Sequence, residues 1–197
     1  MKIKKPMKLS RLYGLSKLTL CALLICMAAV LSAAETWLPP ICPIQGVRVG
    51  LGNIVSMFIL YIGGSWRSSD ALIVVILRCF VAALVTGQLM NVFYGAAGGI
   101  CALGAMLLLR KILPAKNREN LLPFIGVAGA VAHIIGQMAT SVIIYGSFMV
   151  LAYAPILLAS AIIGGAFTGG CTLLLLKKLP GTLINQIRMN EYETAEK

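Results

Sequence analysis

Arg78 stands within the run ALIVVILRCFVAALV, and the chain's only histidine, His133, within GAVAHIIGQMATS, one helical turn before Gln137. Charged and ionisable groups inside apolar stretches are costly, about 2.5–3.5 kcal/mol for an arginine at the centre of a membrane helix. A group held at that cost binds backbone carbonyls and polar side chains, reaches a water-filled cavity, or meets an anionic ligand. His133, Gln137, Thr140 and Ser141 recur at i, i+4, i+7 and i+8, so they share one helical face. Asn53, Gln88 and Asn91 add amides near the ends of other apolar segments. This set can bind a small solute with a polar or anionic group, Arg78 supplying charge and the others hydrogen bonds. The alternative is a self-satisfied network between helices, a common glue of membrane bundles.

Other chemistries have little to work with. Asp70 is the only aspartate, and the remaining acids are Glu35, Glu119, Glu191, Glu193 and Glu196. All six lie at segment ends, in loops or in the tail. Asp70 is roughly 12 Å along a helix from Arg78, so the arginine is expected to lack an internal acid partner. Magnesium-dependent diphosphate chemistry needs several oxygen ligands in one place, and the sequence does not offer them. No GxxxxGK[ST] stretch is present, so the chain does not itself power transport with a P-loop. Cysteines 21, 26, 42, 79, 101 and 171 form no CxxC pair, and one histidine cannot complete a zinc site. Only Cys42 is expected to reach an oxidising compartment, so these cysteines read as small packing residues. GLGN at 50–53 lacks the third glycine of a dinucleotide fingerprint. No cofactor and no metal are expected.

The elements that must position these residues are membrane helices. Of 197 residues, 59% are hydrophobic and 12% charged, too few polar groups to cover a soluble domain of this size. Six apolar segments fall at approximately 18–38, 50–64, 70–89, 91–113, 124–146 and 155–176. Each is near the roughly 20 residues that cross a hydrocarbon core, except the second, which is short enough to begin as a partly embedded loop. The expected fold is all-α, one bundle of six transmembrane helices over 18–178, with a basic N-terminus at 1–17 and a tail at 179–197. Residues 147–154 read as an interfacial turn before Pro155, a residue suited to a helix start. Gly95 and Gly99, Ala128, Ala132 and Gly136, and Ala161, Gly165 and Gly169 repeat at spacing four, which lets backbones approach closely in lipid.

Fifteen of the 17 basic residues fall on one side of this arrangement: six in the first 17 residues, Arg67, four in 110–120, and four from Lys177 onward. That side is the cytoplasm, so both termini are expected there and 38–50 outside, in a cell (plasma) membrane. A competing reading of KLTLCALLICMAAVLSAAE is a signal peptide ending at Ser32–Ala34, whose removal leaves the rest of the topology unchanged. In the six-span orientation the polar residues lie from the midplane outward. That describes a pocket open to the exterior rather than a continuous pore, which makes a small channel the weaker reading.

GLGNIV (50–55), Arg78 followed by Gly87, GAVAHIIGQ (129–137) and Pro155 in YAPILLAS resemble the Gx transporter family. Its members often carry the name heptaprenyl diphosphate synthase component I. The family is grouped with the substrate-binding S components of energy-coupling factor (ECF) transporters. The resemblance covers roughly 12–178, with the His-to-Gln stretch its most specific part; Ile134 departs from it, since the family often has asparagine there. It implies a six-helix protein that captures a vitamin-like molecule from outside and joins a transmembrane coupling subunit and two ABC-type ATPases. Ala22 and Cys26 occupy the positions of the small-residue pair by which S components often dock. The alternative is a non-catalytic membrane accessory of isoprenoid or quinone synthesis, because one aspartate cannot make the aspartate-rich motifs of a prenyl synthase. No catalytic residue is expected.

Overall fold

The computed structural model describes residues 9–35 (side chains from Leu18 on), 50–62, 68–113 and 120–179. Among them stand six α-helices: α1 (Leu9–Ala34), α2 (Asn53–Ile62), α3 (Ser68–Thr86), α4 (Met90–Ile112), α5 (Leu122–Tyr145) and α6 (Ala154–Lys178). The expected Cys42, the loop residues Arg67, Lys116, Arg118 and Glu119, and the tail from 180 on lie outside the described residues.

The protein is a helical membrane bundle. By length and composition α3, α4, α5 and α6 (the last counted with the turn before it) are long and apolar enough to cross a membrane. α1 is 26 residues long, its apolar part running Leu18–Ala34. Its helix begins at Leu9, inside the stretch expected to be a separate basic N-terminus; lysine, arginine and leucine are good helix formers and do not stop it. α2 has only 10 residues, about 15 Å, half of a hydrocarbon core of about 30 Å. The remaining boundaries follow local chemistry. Gly87 (φ 70°) and Gly146 (φ 61°) take the left-handed conformation after α3 and α5. Pro123 and Pro155 sit in the first turns of α5 and α6. The interfacial turn expected at 147–154 is a 3-10 helix, Phe148–Tyr153.

α5 is the central helix, packed along α4 on one side and α6 on the other. Glycine makes both seams. A Cβ added at Gly165 would meet Val127 Cα at 2.6 Å, and one at Gly169 would meet Leu122 O at 2.5 Å, so α5 and α6 touch backbone to backbone. Across α4, Gly136 abuts Ala97 O, at 2.8 Å from an added Cβ, and Gly129 abuts Met106. Ala128 and Ala132 are half-buried, and the close approaches use Gly126, Gly129 and Gly136. Gly95 and Gly99 face Cys79 and Val75 of α3.

The seam predicts a contrast in stability. Gly165→Ala should destabilise the protein by about 1–3 kcal/mol, the usual penalty of overpacking. Gly104→Ala, where nothing lies within 4 Å of the added carbon, should leave stability unchanged or raise it slightly. Unfolding of both variants in mixed detergent micelles measures the difference.

Candidate functional site

The site begins with a turn where a membrane protein can rarely place one. Residues 50–52 lead into α2 beside Arg78 and His133, two residues near the middles of α3 and α5. Non-helical backbone at such depth survives only inside protein, with its polar groups satisfied. Here Asn53 N donates to Gly50 O (2.8 Å) and Ile54 N to Leu51 O (3.0 Å). Leu51 N donates to Glu35 Oε1, which accepts at 2.5 Å. Glu35, one residue past α1 and only 8% exposed, thus holds the turn in place.

Arg78 is 2% exposed. Its Nη2 donates to Asn53 Oδ1 (2.7 Å) and its Nη1 to Ser32 Oγ (3.4 Å). Among the described residues its Nε has no hydrogen-bond partner. Glycines make the room for this guanidinium. A Cβ at Gly52 would collide with Nη1, and one at Gly99 would lie 3.3 Å from Nη2. His133, 3% exposed, is framed in the same way. A Cβ at Gly98 would lie 2.8 Å from Nδ1, and one at Gly50 3.2 Å from Nε2. Gln137 Nε2 lies 3.1 Å from His133 Nε2. With the amide donating, the ring proton sits on Nδ1, a buried nitrogen that meets no hydrogen-bond acceptor in good geometry among the described residues. Gly50 itself needs φ 88°, a conformation that side chains with Cβ rarely adopt.

These groups enclose a polar cavity of about 30 Å³ lined by Ser32, Glu35, Arg78, Asn91, His133 and Gln137, together with Gly50, Gly95 and small residues of α3. That volume is room for about one water molecule or a group of a few atoms. Of the expected site residues, Arg78, Asn91, His133 and Gln137 line it, and Asn53 reaches it through Arg78. Gln88 is exposed and accepts from Asn91 Nδ2. Thr140 is not part of the wall. Its hydroxyl donates to Gly136 O (2.9 Å), one turn back in its own helix, and Ser141 does the same to Gln137 O (2.9 Å). Sharing a helical face was therefore too coarse a criterion, because the face is wider than the cavity.

The largest departure from expectation concerns charge. An internal acid was expected to be missing, yet Glu35 lines the cavity together with Arg78. Asp70, on Arg78's own helix, is not among the lining residues. Ile134 points elsewhere, 1% exposed in an apolar cluster with Met138, Leu157 and Ala161, so the departure at this position leaves the cavity wall intact. Ala22 and Cys26 are both exposed on α1.

The geometry separates two substitutions. Asn53→Ala removes the acceptor of a buried charged donor and should destabilise by about 1–3 kcal/mol. Arg78→Met leaves Asn53 Oδ1 and the buried Glu35 of the same cavity wall without their cation and should destabilise more, by about 3–5 kcal/mol. Thermal unfolding of the two variants, side by side in detergent, checks the order.

Residues 24–175, more than three quarters of the chain, match the family described as heptaprenyl diphosphate synthase component I. No curated protein and no solved structure matches. The chain is a membrane protein that belongs to the heptaprenyl diphosphate synthase component I family.

Proposed function

We propose that this protein is the substrate-binding component of an ECF-type transporter, capturing a small vitamin-like or anionic solute from outside the cell. The observation that carries this reading is the buried Arg78, held among the described residues by two hydrogen bonds with Nε unused, on a cavity with polar walls inside an apolar bundle. A guanidinium with an unused donor beside a cavity is what recognition of a small anionic group requires. The cavity is far below the roughly 300–1,000 Å³ of sites that enclose a whole ligand. The recognised part of the solute is therefore a small terminal group of carboxylate size, with Arg78 as its charge partner and Asn91, His133 and Gln137 around it. Glu35 positions the turn that closes the cavity. The chain itself carries no catalytic step.

The charge distribution supports the orientation in which both termini are cytoplasmic and the cavity opens toward the exterior of the plasma membrane. Arg110 and Lys111 end α4, and Lys177 and Lys178 end α6. α4 and α6 both run antiparallel to α5, so these cations share one end of the bundle, away from the turn at 50–52. A second reading, a membrane accessory of prenyl diphosphate synthesis, draws its support from the family's description.

Two measurements test the proposal. Mass spectrometry of small molecules retained by the purified protein should find one solute species, lost on Arg78→Met and reduced less by Gln137→Ala. Retention unchanged in both variants would remove the site. A tagged chain should also co-purify with a membrane coupling subunit and two ATPases, and Ala22→Trp on the exposed face of α1 should abolish that association while the isolated protein stays folded. Co-purification with a soluble prenyl synthase instead would favour the accessory reading.

A further inference from the structure

A second cavity, about 620 Å³ and far larger than the polar one, lies on the flank of the bundle. α2 packs against α1 on one side and α6 on the other and forms its floor. Leu20, Leu23 and Met27 of α1, Val55 and Phe58 of α2 and Leu174 of α6 are among its walls. Among the described residues Lys178 is the only charged one that lines it. Leu23, Met27 and Leu174 are each more than half exposed, so the groove opens sideways toward the surrounding lipid.

We propose that this groove holds one acyl chain of an anionic glycerophospholipid, with the lipid phosphate at Lys178. Three observations meet here. The wall from Leu20 to Leu31 spans twelve residues of helix, about 16 Å from first to last, which is close to the half-thickness of a hydrocarbon core of about 30 Å. The groove is thus as deep as one leaflet. Among the described residues its lining is apolar except for the cation, which suits a hydrocarbon tail under a negative head group. Lys177, exposed beside Lys178 in the last turn of α6, adds a second positive charge at that end. Basic pockets between helices at a cytoplasmic surface recognise anionic head groups in this way. The inference does not depend on the transport reading, since the groove shares no lining residue with the polar cavity.

Native mass spectrometry of the full-length protein in detergent, titrated with 1-palmitoyl-2-oleoyl phosphatidylglycerol or the matching phosphatidylcholine, tests this. One phosphatidylglycerol should be retained with at least about fivefold preference, the factor that corresponds to one basic residue at an anionic membrane surface. Lys178→Glu should bring the two lipids to parity. Met27→Trp should fill the groove and remove the bound lipid, and Leu174→Trp does the same from the opposite wall should the first variant fail to fold. Equal retention of both lipids by the unaltered protein, a preference that survives Lys178→Glu, or retention indifferent to both tryptophans would overturn the proposal. So would displacement of phosphatidylglycerol by an equimolar polyprenyl phosphate, or a dimer of the chain appearing in place of bound lipid.

Discussion

Everything around the polar cavity answers to one constraint: a guanidinium and a turn of non-helical backbone are both buried in the middle of an apolar bundle. Neither can be left unsatisfied there. Unpaired backbone groups in a hydrocarbon setting cost several kcal/mol each, and a buried charge without hydrogen bonds costs more. The two problems are solved jointly. Glu35 accepts from the turn at Leu51 N, the turn presents Asn53, and Asn53 accepts from Arg78. α1, α2 and α3 are thereby linked through polar atoms where apolar packing alone would leave their relative depth free to slide. Breaking any one contact leaves its partner stranded, which makes this cluster a determinant of register as well as a recognition surface.

The helices and their order were readable because apolar length and small-residue spacing are local properties. The same holds for Arg78, His133 and Gln137, since a polar residue in an apolar run is conspicuous by itself. What escaped was long-range. Glu35 sits at a segment boundary, where acids are ordinary, and only the fold carries it 43 positions along the chain to the wall beside Arg78. Thr140 was included for its helical face, but a threonine hydroxyl in a helix readily turns back to a carbonyl one turn earlier, and this one does. Gly52, Gly98 and Gly99 carried no visible sign of their task. In sequence they look like the glycines of the α5–α6 seam.

Those glycines perform two distinct tasks. At Gly126, Gly165 and Gly169 the missing side chain is replaced by the backbone of a neighbouring helix, so the gain is close packing, the main attraction between helices in lipid. At Gly52 and Gly98 it is replaced by Arg78 and His133, so the gain is a place for a polar group that no other residue would leave open. A methyl group at a seam pushes helices apart and is felt by the whole bundle. A methyl group at Gly52 displaces only side chains, Arg78 and Ser32, whereas one at Gly98 also meets the backbone oxygen of His133 at 2.9 Å.

The two cavities then express a division along the membrane normal. The polar one is built from the C-terminal halves of α1, α3 and α5, the turn before α2 and the start of α4, where helix ends and a turn supply spare hydrogen-bonding groups. The apolar one is built where α2 has to bridge α1 and α6 with only 10 residues, leaving a channel that no side chain of the described residues fills. Both follow from the same feature, the late start of α2. Because the chain enters α2 only at Asn53, the turn before it lies deep enough to meet Arg78, and the helix that follows is too short to close the flank. A longer second helix would seal the groove at the expense of the turn, and with it the Glu35–Leu51 and Asn53–Arg78 contacts that hold the arginine in place.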